Sequence, residues 1–182
     1  MVDDFNRIEE QIEFRLSGGE TNTNPFLSLG SFMSNDIVNG GIIVDGVMDN
    51  VWDDLSAAER LGGDTSYRWI YLFNNSIETL RTPHMYFTPA DPFVRAMFII
   101  KGVNQIPDLL PDEHTAPPSD EIGVVTTFPT PFLTGESYET TSAVGPDLTP
   151  GQFIAICLKR VIPINTDPSL KAQYRLVIES RP

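Results

Sequence analysis

Two histidines, one cysteine and 25 carboxylates carry most of the reactive or metal-binding chemistry this chain possesses. His84 and His114 lie in separate segments with no shared spacing, and with Cys157 they fall short of the ligand set of a zinc site. Nucleophilic catalysis has no signature, because Gly-x-Ser-x-Gly is absent and Cys157 sits in an apolar run, where a thiol behaves as a small hydrophobe. Gly18-Gly19, Gly40-Gly41 and Gly62-Gly63 lack the lysine of a phosphate loop and read as turn residues. Asp45, Asp49, Asn50, Asp53 and Asp54 have the oxygen density of a calcium loop without its alternating order, so a solvated acidic edge and a calcium site both stand as readings. A carboxylate pair for glycoside hydrolysis is set by folding rather than spacing, and the acids leave it open. The reading carried forward has no catalytic residue, no metal ligand and no cofactor.

Charge narrows the partners. Asp and Glu outnumber Lys and Arg 25 to 12, for a net charge of −13. Such a surface repels phosphate backbones and anionic lipid headgroups, and no local basic patch offsets it, so nucleic acid and membrane are not expected partners. One cysteine rules out an intrachain disulfide. Met1-Val2-Asp3-Asp4-Phe5 has no basic-then-apolar order of a signal peptide, and no apolar run reaches the roughly 20 residues of a membrane span. Synthesis in a cytoplasm is the expectation.

The elements that would position these groups centre on Tyr67-Arg68-Trp69-Ile70-Tyr71-Leu72-Phe73, an aromatic and apolar run ended by Asn74-Asn75-Ser76, which predicts a strand buried on both faces. Residues 1–10 read as an N-terminal arm, either exposed or docked through Phe5 and Ile8. Strict alternation over 11–16 predicts a strand with Ile12, Phe14 and Leu16 inward. Residues 20–40 read as an irregular loop pinned by buried Phe26, Leu27, Leu29, Phe32, Met33, Ile37 and Val38. Gly41-Ile42-Ile43-Val44 is a short strand candidate, and Ser56-Ala57-Ala58-Glu59 is a capping box predicting a one- or two-turn helix that stops at Gly62-Gly63.

Residues 82–88 and 93–101 predict successive antiparallel strands, and the proline-rich stretch 102–120 a long connection without a helix. A further strand is expected at 122–128, and a terminal strand pair at 153–162 and 174–179. The fold class expected is all-β: a single antiparallel β-sandwich, immunoglobulin-like or jelly-roll-like, over 11–182, with one short helix and long loops.

Ile12-Glu13-Phe14-Arg15-Leu16-Ser17-Gly18-Gly19, Asn22-Thr23-Asn24-Pro25, Ser28-Leu29-Gly30 and Gly63-Asp64-Thr65-Ser66-Tyr67-Arg68-Trp69-Ile70-Tyr71, in that order, resemble a family of tailed-bacteriophage virion structural proteins. That family has a Leu-Ser-Gly-Gly loop ahead of an acidic helix and a Tyr-Arg-led strand. Ser31 departs from the pattern, standing where a second glycine is expected after Gly30. Leu148-Thr149-Pro150-Gly151-Gln152 before an apolar strand is similar to the last strands of immunoglobulin-like modules. The resemblance implies a non-enzymatic part of a virus particle, located in the virion. A capsid decoration or cement protein is the leading form and a tail, baseplate or fibre adaptor the alternative. Its partners would be the major capsid protein or other virion proteins, with a homo-oligomer, a trimer being one form, as its own assembly state. The long loops and the arm would then make contacts, which nominates Phe5, Ile8, Phe26, Leu27, Leu109, Leu110 and Phe132 as an assembly interface. A carbohydrate-binding module is a third reading, with Trp52, Trp69 and Tyr71 as candidate stacking aromatics, although strand alternation places Trp69 and Tyr71 inside.

Overall fold

A computed structural model describes residues 11–44, 50–88, 95–118, 143–166 and 175–179. The central apolar run forms part of strand β2, Asp64–Asn74, which starts three residues earlier than its apolar character does. It pairs antiparallel with the equally apolar β6, Phe153–Ile162, in the register Trp69↔Cys157, Ile70↔Ile156, Tyr71↔Ala155 and Leu72↔Ile154. The outer neighbours are β1, Ile12–Leu16, beside β2 and β4, Arg95–Ile100, beside β6, giving a four-stranded sheet ordered β1-β2-β6-β4. Both inner strands are covered on both faces, which is why their sequences run apolar without alternating.

Alternation still decides which side each residue fills. Ile70, Leu72, Ile154, Ile156 and Leu158 join one apolar cluster, while Trp69, Tyr71, Ala155 and Cys157 join another. Ile12 and Phe14 pack against the first cluster and Leu16 is buried, as the alternation in β1 predicts. The outward Arg15 is also buried, paired with Glu13 at 2.5 Å and stacked 4.3 Å from the centre of the Phe73 ring.

A second, three-stranded antiparallel sheet has β3, His84–Thr88, between β5, Ala143–Val144, and β7, Arg175–Glu179. Met85 of β3 belongs to the first cluster, and Leu176 and Ile178 of β7 pack against it, so residues of both sheets share one core. Two sequence expectations change here. β3 and β4 are not neighbours, and neither are β6 and β7, for each pair is split between the sheets. A strand's own pattern reports its burial, but its partner is chosen by tertiary packing.

Among the described residues there is one α-helix, α1, Ala57–Gly62, and one 3-10 turn, Pro25–Leu27. The capping box forms as expected: the Ser56 hydroxyl accepts from the Glu59 N–H, and the Glu59 carboxylate accepts from the Ser56 N–H at 2.7 Å. Gly63 ends the helix at φ 74°, where an added Cβ would lie 3.0 Å from the Ile162 carbonyl. The regular structure is thus mainly antiparallel β with a short helix. Gly41 to Val44 contributes only a bridge at Ile42 along the edge of β1. Residues 101–118 hold no helix or strand, as expected, and the strand expected at 122–128 lies outside the described residues. No helix among the described residues is long and apolar enough to cross a membrane.

Candidate assembly surface

Strand β1 runs directly into Ser17-Gly18-Gly19, and the geometry there explains these residue types. The buried Ser17 hydroxyl donates to the Trp69 carbonyl at 2.7 Å and accepts from the Gly30 N–H at 3.0 Å, tying the loop across to β2. Gly18 has φ 98°, and a Cβ there would sit 2.4 Å from the Leu27 carbonyl oxygen. The Asn22 amide donates to the Ser17 carbonyl at 2.5 Å, while its oxygen accepts from the Asn24 N–H. The Asn24 side chain in turn caps the Pro25–Leu27 turn by accepting from the Phe26 N–H. The Trp69 N–H donates to the Ser28 carbonyl, and the Ser34 N–H to the Leu16 carbonyl, both at 2.8 Å.

Buried polar groups therefore pin this loop. Ser17, Asn22, Ser28 and Ser34 are all buried, whereas Phe26, Leu27, Phe32, Ile37 and Val38 are exposed, contrary to the sequence expectation. Only Leu29 and Met33 of the expected pins pack inward, against the cluster of Trp69 and Tyr71. Short Ser and Asn side chains can satisfy several loop N–H and C=O groups at once, which frees the large apolar side chains to point outward.

The proline-rich connection is laid against this loop. The Ser31 N–H donates to the Pro107 carbonyl at 3.0 Å, and the Leu110 N–H to the Leu29 carbonyl at 2.8 Å. Leu110 is 3% exposed and fills the second cluster with Trp69 and Tyr71. Further along, the Tyr67 N–H donates to the Glu113 carbonyl at 2.7 Å, and the Glu113 carboxylate pairs with the buried guanidinium of Arg68. The Tyr71 hydroxyl closes the unit by donating to the Ser31 carbonyl at 2.5 Å.

Of the seven residues nominated as an interface, Phe26, Leu27 and Leu109 are 41%, 57% and 63% exposed. Leu110 is corrected to a core residue. Leu110 packs against Trp69 and Tyr71 while its N–H is held by the Leu29 carbonyl, and Leu109 beside it is left facing solvent. Phe5, Ile8 and Phe132 lie outside the described residues. Phe32, 54% exposed on the same loop, is a surface residue the sequence reading assigned to the interior. No local pattern separates Phe32 from the inward Met33, since the adjacent pairs Phe26-Leu27 and Ile37-Val38 of the same loop are exposed together.

The groups with potential chemistry are dispersed. His84 is on β3 and His114 on the connection, where its Nδ1 lies 3.2 Å from Asp64 Oδ1 and 3.3 Å from the Thr65 carbonyl. That carbonyl, with Asp64, Glu113 and Asp112 nearby, raises the imidazole pKa above its ordinary value despite some desolvation. Glu59 is pushed up by burial, but the Ser56 hydroxyl and N–H, Arg160 and His114 outweigh this and hold it low overall. Cys157 is buried in the second cluster. Asp53 and Asp54 are exposed, and the Asp53 carboxylate is 3.9 Å from Arg160, while residues 45–49 of the acidic stretch lie outside the described residues. Among the described residues no cluster of His, Cys, Asp or Glu is arranged to hold a metal ion.

Compared with protein-family models, with curated proteins and with solved structures, the chain matches none. Two loops hydrogen-bonded to one another and anchored in the sheet hold large apolar side chains in water, among them Phe26, Leu27, Phe32 and Leu109.

Proposed function

We propose that this chain is a non-enzymatic structural protein of a tailed-bacteriophage particle, a decoration or cement protein of the head, built as an immunoglobulin-like or jelly-roll-like β-sandwich. The sandwich reading draws support from the apolar cluster to which both sheets contribute. The observation that carries the assembly role is the set of exposed Phe26, Leu27, Phe32 and Leu109 side chains on backbone already fixed by buried hydrogen bonds. A surface ordered before binding loses little conformational entropy on docking, so its apolar area converts efficiently into affinity. The residues behind the virion resemblance support the same reading. Ser17 and Trp69, 52 positions apart, meet in one hydrogen-bonded unit with Asn22, Ser28 and Gly30.

A sugar-stacking surface has less behind it. Trp69 and Tyr71 are fully buried, and Trp52 is half-buried with the Arg160 guanidinium 5.4 Å from its ring centre.

Copy number per purified particle, by quantitative mass spectrometry, tests the proposal. A number on the order of hundreds, as the repeated symmetry of a shell requires, is the expected outcome. A few copies matching the tail's rotational symmetry would move the protein to a tail or baseplate role. Absence from particles would overturn the virion reading.

A further inference from the structure

The loops that hold the exposed apolar residues carry mainly negative fixed charge. No Lys or Arg occurs from residue 16 to 59 or from 102 to 158, so apart from Lys101, where the connection leaves β4, the fixed charges on the two described loops are Glu20, Asp36, Asp108, Asp112 and Glu113. Glu113 is paired with Arg68, and His114 is the group in these loops that gains positive charge, at low pH. Phe26, Leu27, Phe32 and Leu109 therefore stand in an acidic field on a chain whose net charge is already −13. A second copy would bring the same acidic loops and the same net charge to the contact, and juxtaposed like charge opposes association. Residues 1–10 are a poor cover for the same reason, carrying four acids and the single cation Arg7. Nucleic acid and anionic lipid share the same sign. What complements this surface is protein.

Resting on the assembly reading above, we infer that these loops dock onto a different protein whose contact surface is an apolar patch rimmed by lysine and arginine. The apolar side chains supply the buried area, and the acids select the partner and speed the encounter without adding much to the final affinity.

The test titrates the full-length chain with a synthetic amphipathic Lys/Leu peptide, with Glu/Leu and Lys/Ser peptides of equal length as controls. The Lys/Leu peptide should bind most tightly. Raising salt from about 50 to about 300 mM should weaken that binding several-fold, because the screening length shortens. Leu27→Ser combined with Leu109→Ser, both at exposed positions, should lower the affinity about tenfold while leaving the urea midpoint unchanged. Equal binding of the Lys/Ser peptide, or binding unaffected by the two substitutions, would reduce the effect to bulk charge and overturn the inference. So would a wild-type chain that self-associates in sedimentation and is made monomeric by the same substitutions, since the occupant would then be a second copy. The particle copy number decides the virion reading separately, so protein absent from particles that still shows the peptide preference would sink one claim and not the other.

Discussion

Ser31 holds a backbone φ of 65°, in the left-handed region that glycine adopts freely and other residues adopt at a cost. Its N–H and carbonyl are both engaged, with Pro107 and Tyr71, so the loop imposes the conformation. Ser31→Gly should raise stability by about 0.5 kcal/mol, relief of strain being partly offset by the entropy of a freer unfolded chain. Ser31→Ala keeps the Cβ and should not; a variant pair ranked the other way in urea unfolding would show that the hydroxyl, not strain, governs this position. Gly18 presents the converse case. With φ 98° and a Cβ position 2.4 Å from the Leu27 carbonyl oxygen, Gly18→Ala should cost about 2–4 kcal/mol in the same measurement. Ser17→Ala would strip a donor from the Trp69 carbonyl and an acceptor from the Gly30 N–H, for an expected loss of about 1–3 kcal/mol.

At the scale of elements, the 101–118 connection is held to β2 by a charge that cannot stay unpaired. The Arg68 side chain is 2% exposed, and its carboxylate partner Glu113 is partly open to solvent. Glu113→Ala should destabilise by about 2–3 kcal/mol, below the full cost of breaking a buried pair because water reaches the vacated side. Hydrogen exchange should show the loss first at the Tyr67 and Leu110 amides, whose acceptors lie across the junction between the connection and the rest of the fold. Uniform loss across the sheet would mean that the connection is not a separate cooperative unit. Helix α1 depends on its cap in the same local way, and Ser56→Ala should cost about 1 kcal/mol.

For the whole molecule, pH acts through His114, which faces Asp64 and Thr65 of β2, Asp112 and Glu113 of its own connection, and, more remotely, Glu59 of α1. Its folded pKa is raised, so its contribution is fully present below the ordinary value of 6.5 and is lost as pH rises through the folded pKa. The imidazole is largely exposed, and solvent screening keeps the effect small. Urea midpoints from mildly acidic to mildly alkaline pH should fall more for the wild type than for His114→Gln over that window. Parallel curves would remove His114 from any role in pH-dependent stability.

What could be read in the chain by itself was local. The period-2 alternation of Ile12, Phe14 and Leu16, the unbroken apolar runs around Trp69 and Ile156, and the Ser56–Glu59 capping box depend on short-range sterics and hydrogen bonds, and each became the expected element. Partner choice was not local. Nothing in residues 84–100 says that β3 and β4 separate into different sheets, because the strands beside them come from parts of the chain more than fifty residues away. The candidate surface divided in the same way. Phe26, Leu27 and Leu109 could be nominated as contact residues of long loops, but Phe26 and Leu27 also read as buried pins of their loop. Which residues lie inside was decided only when Ser17, Asn22, Ser28 and Ser34 took the interior positions and Leu110 turned in against Trp69. A side chain's exposure depends on which other groups have already satisfied the backbone beneath it, and those groups become neighbours only in the folded chain.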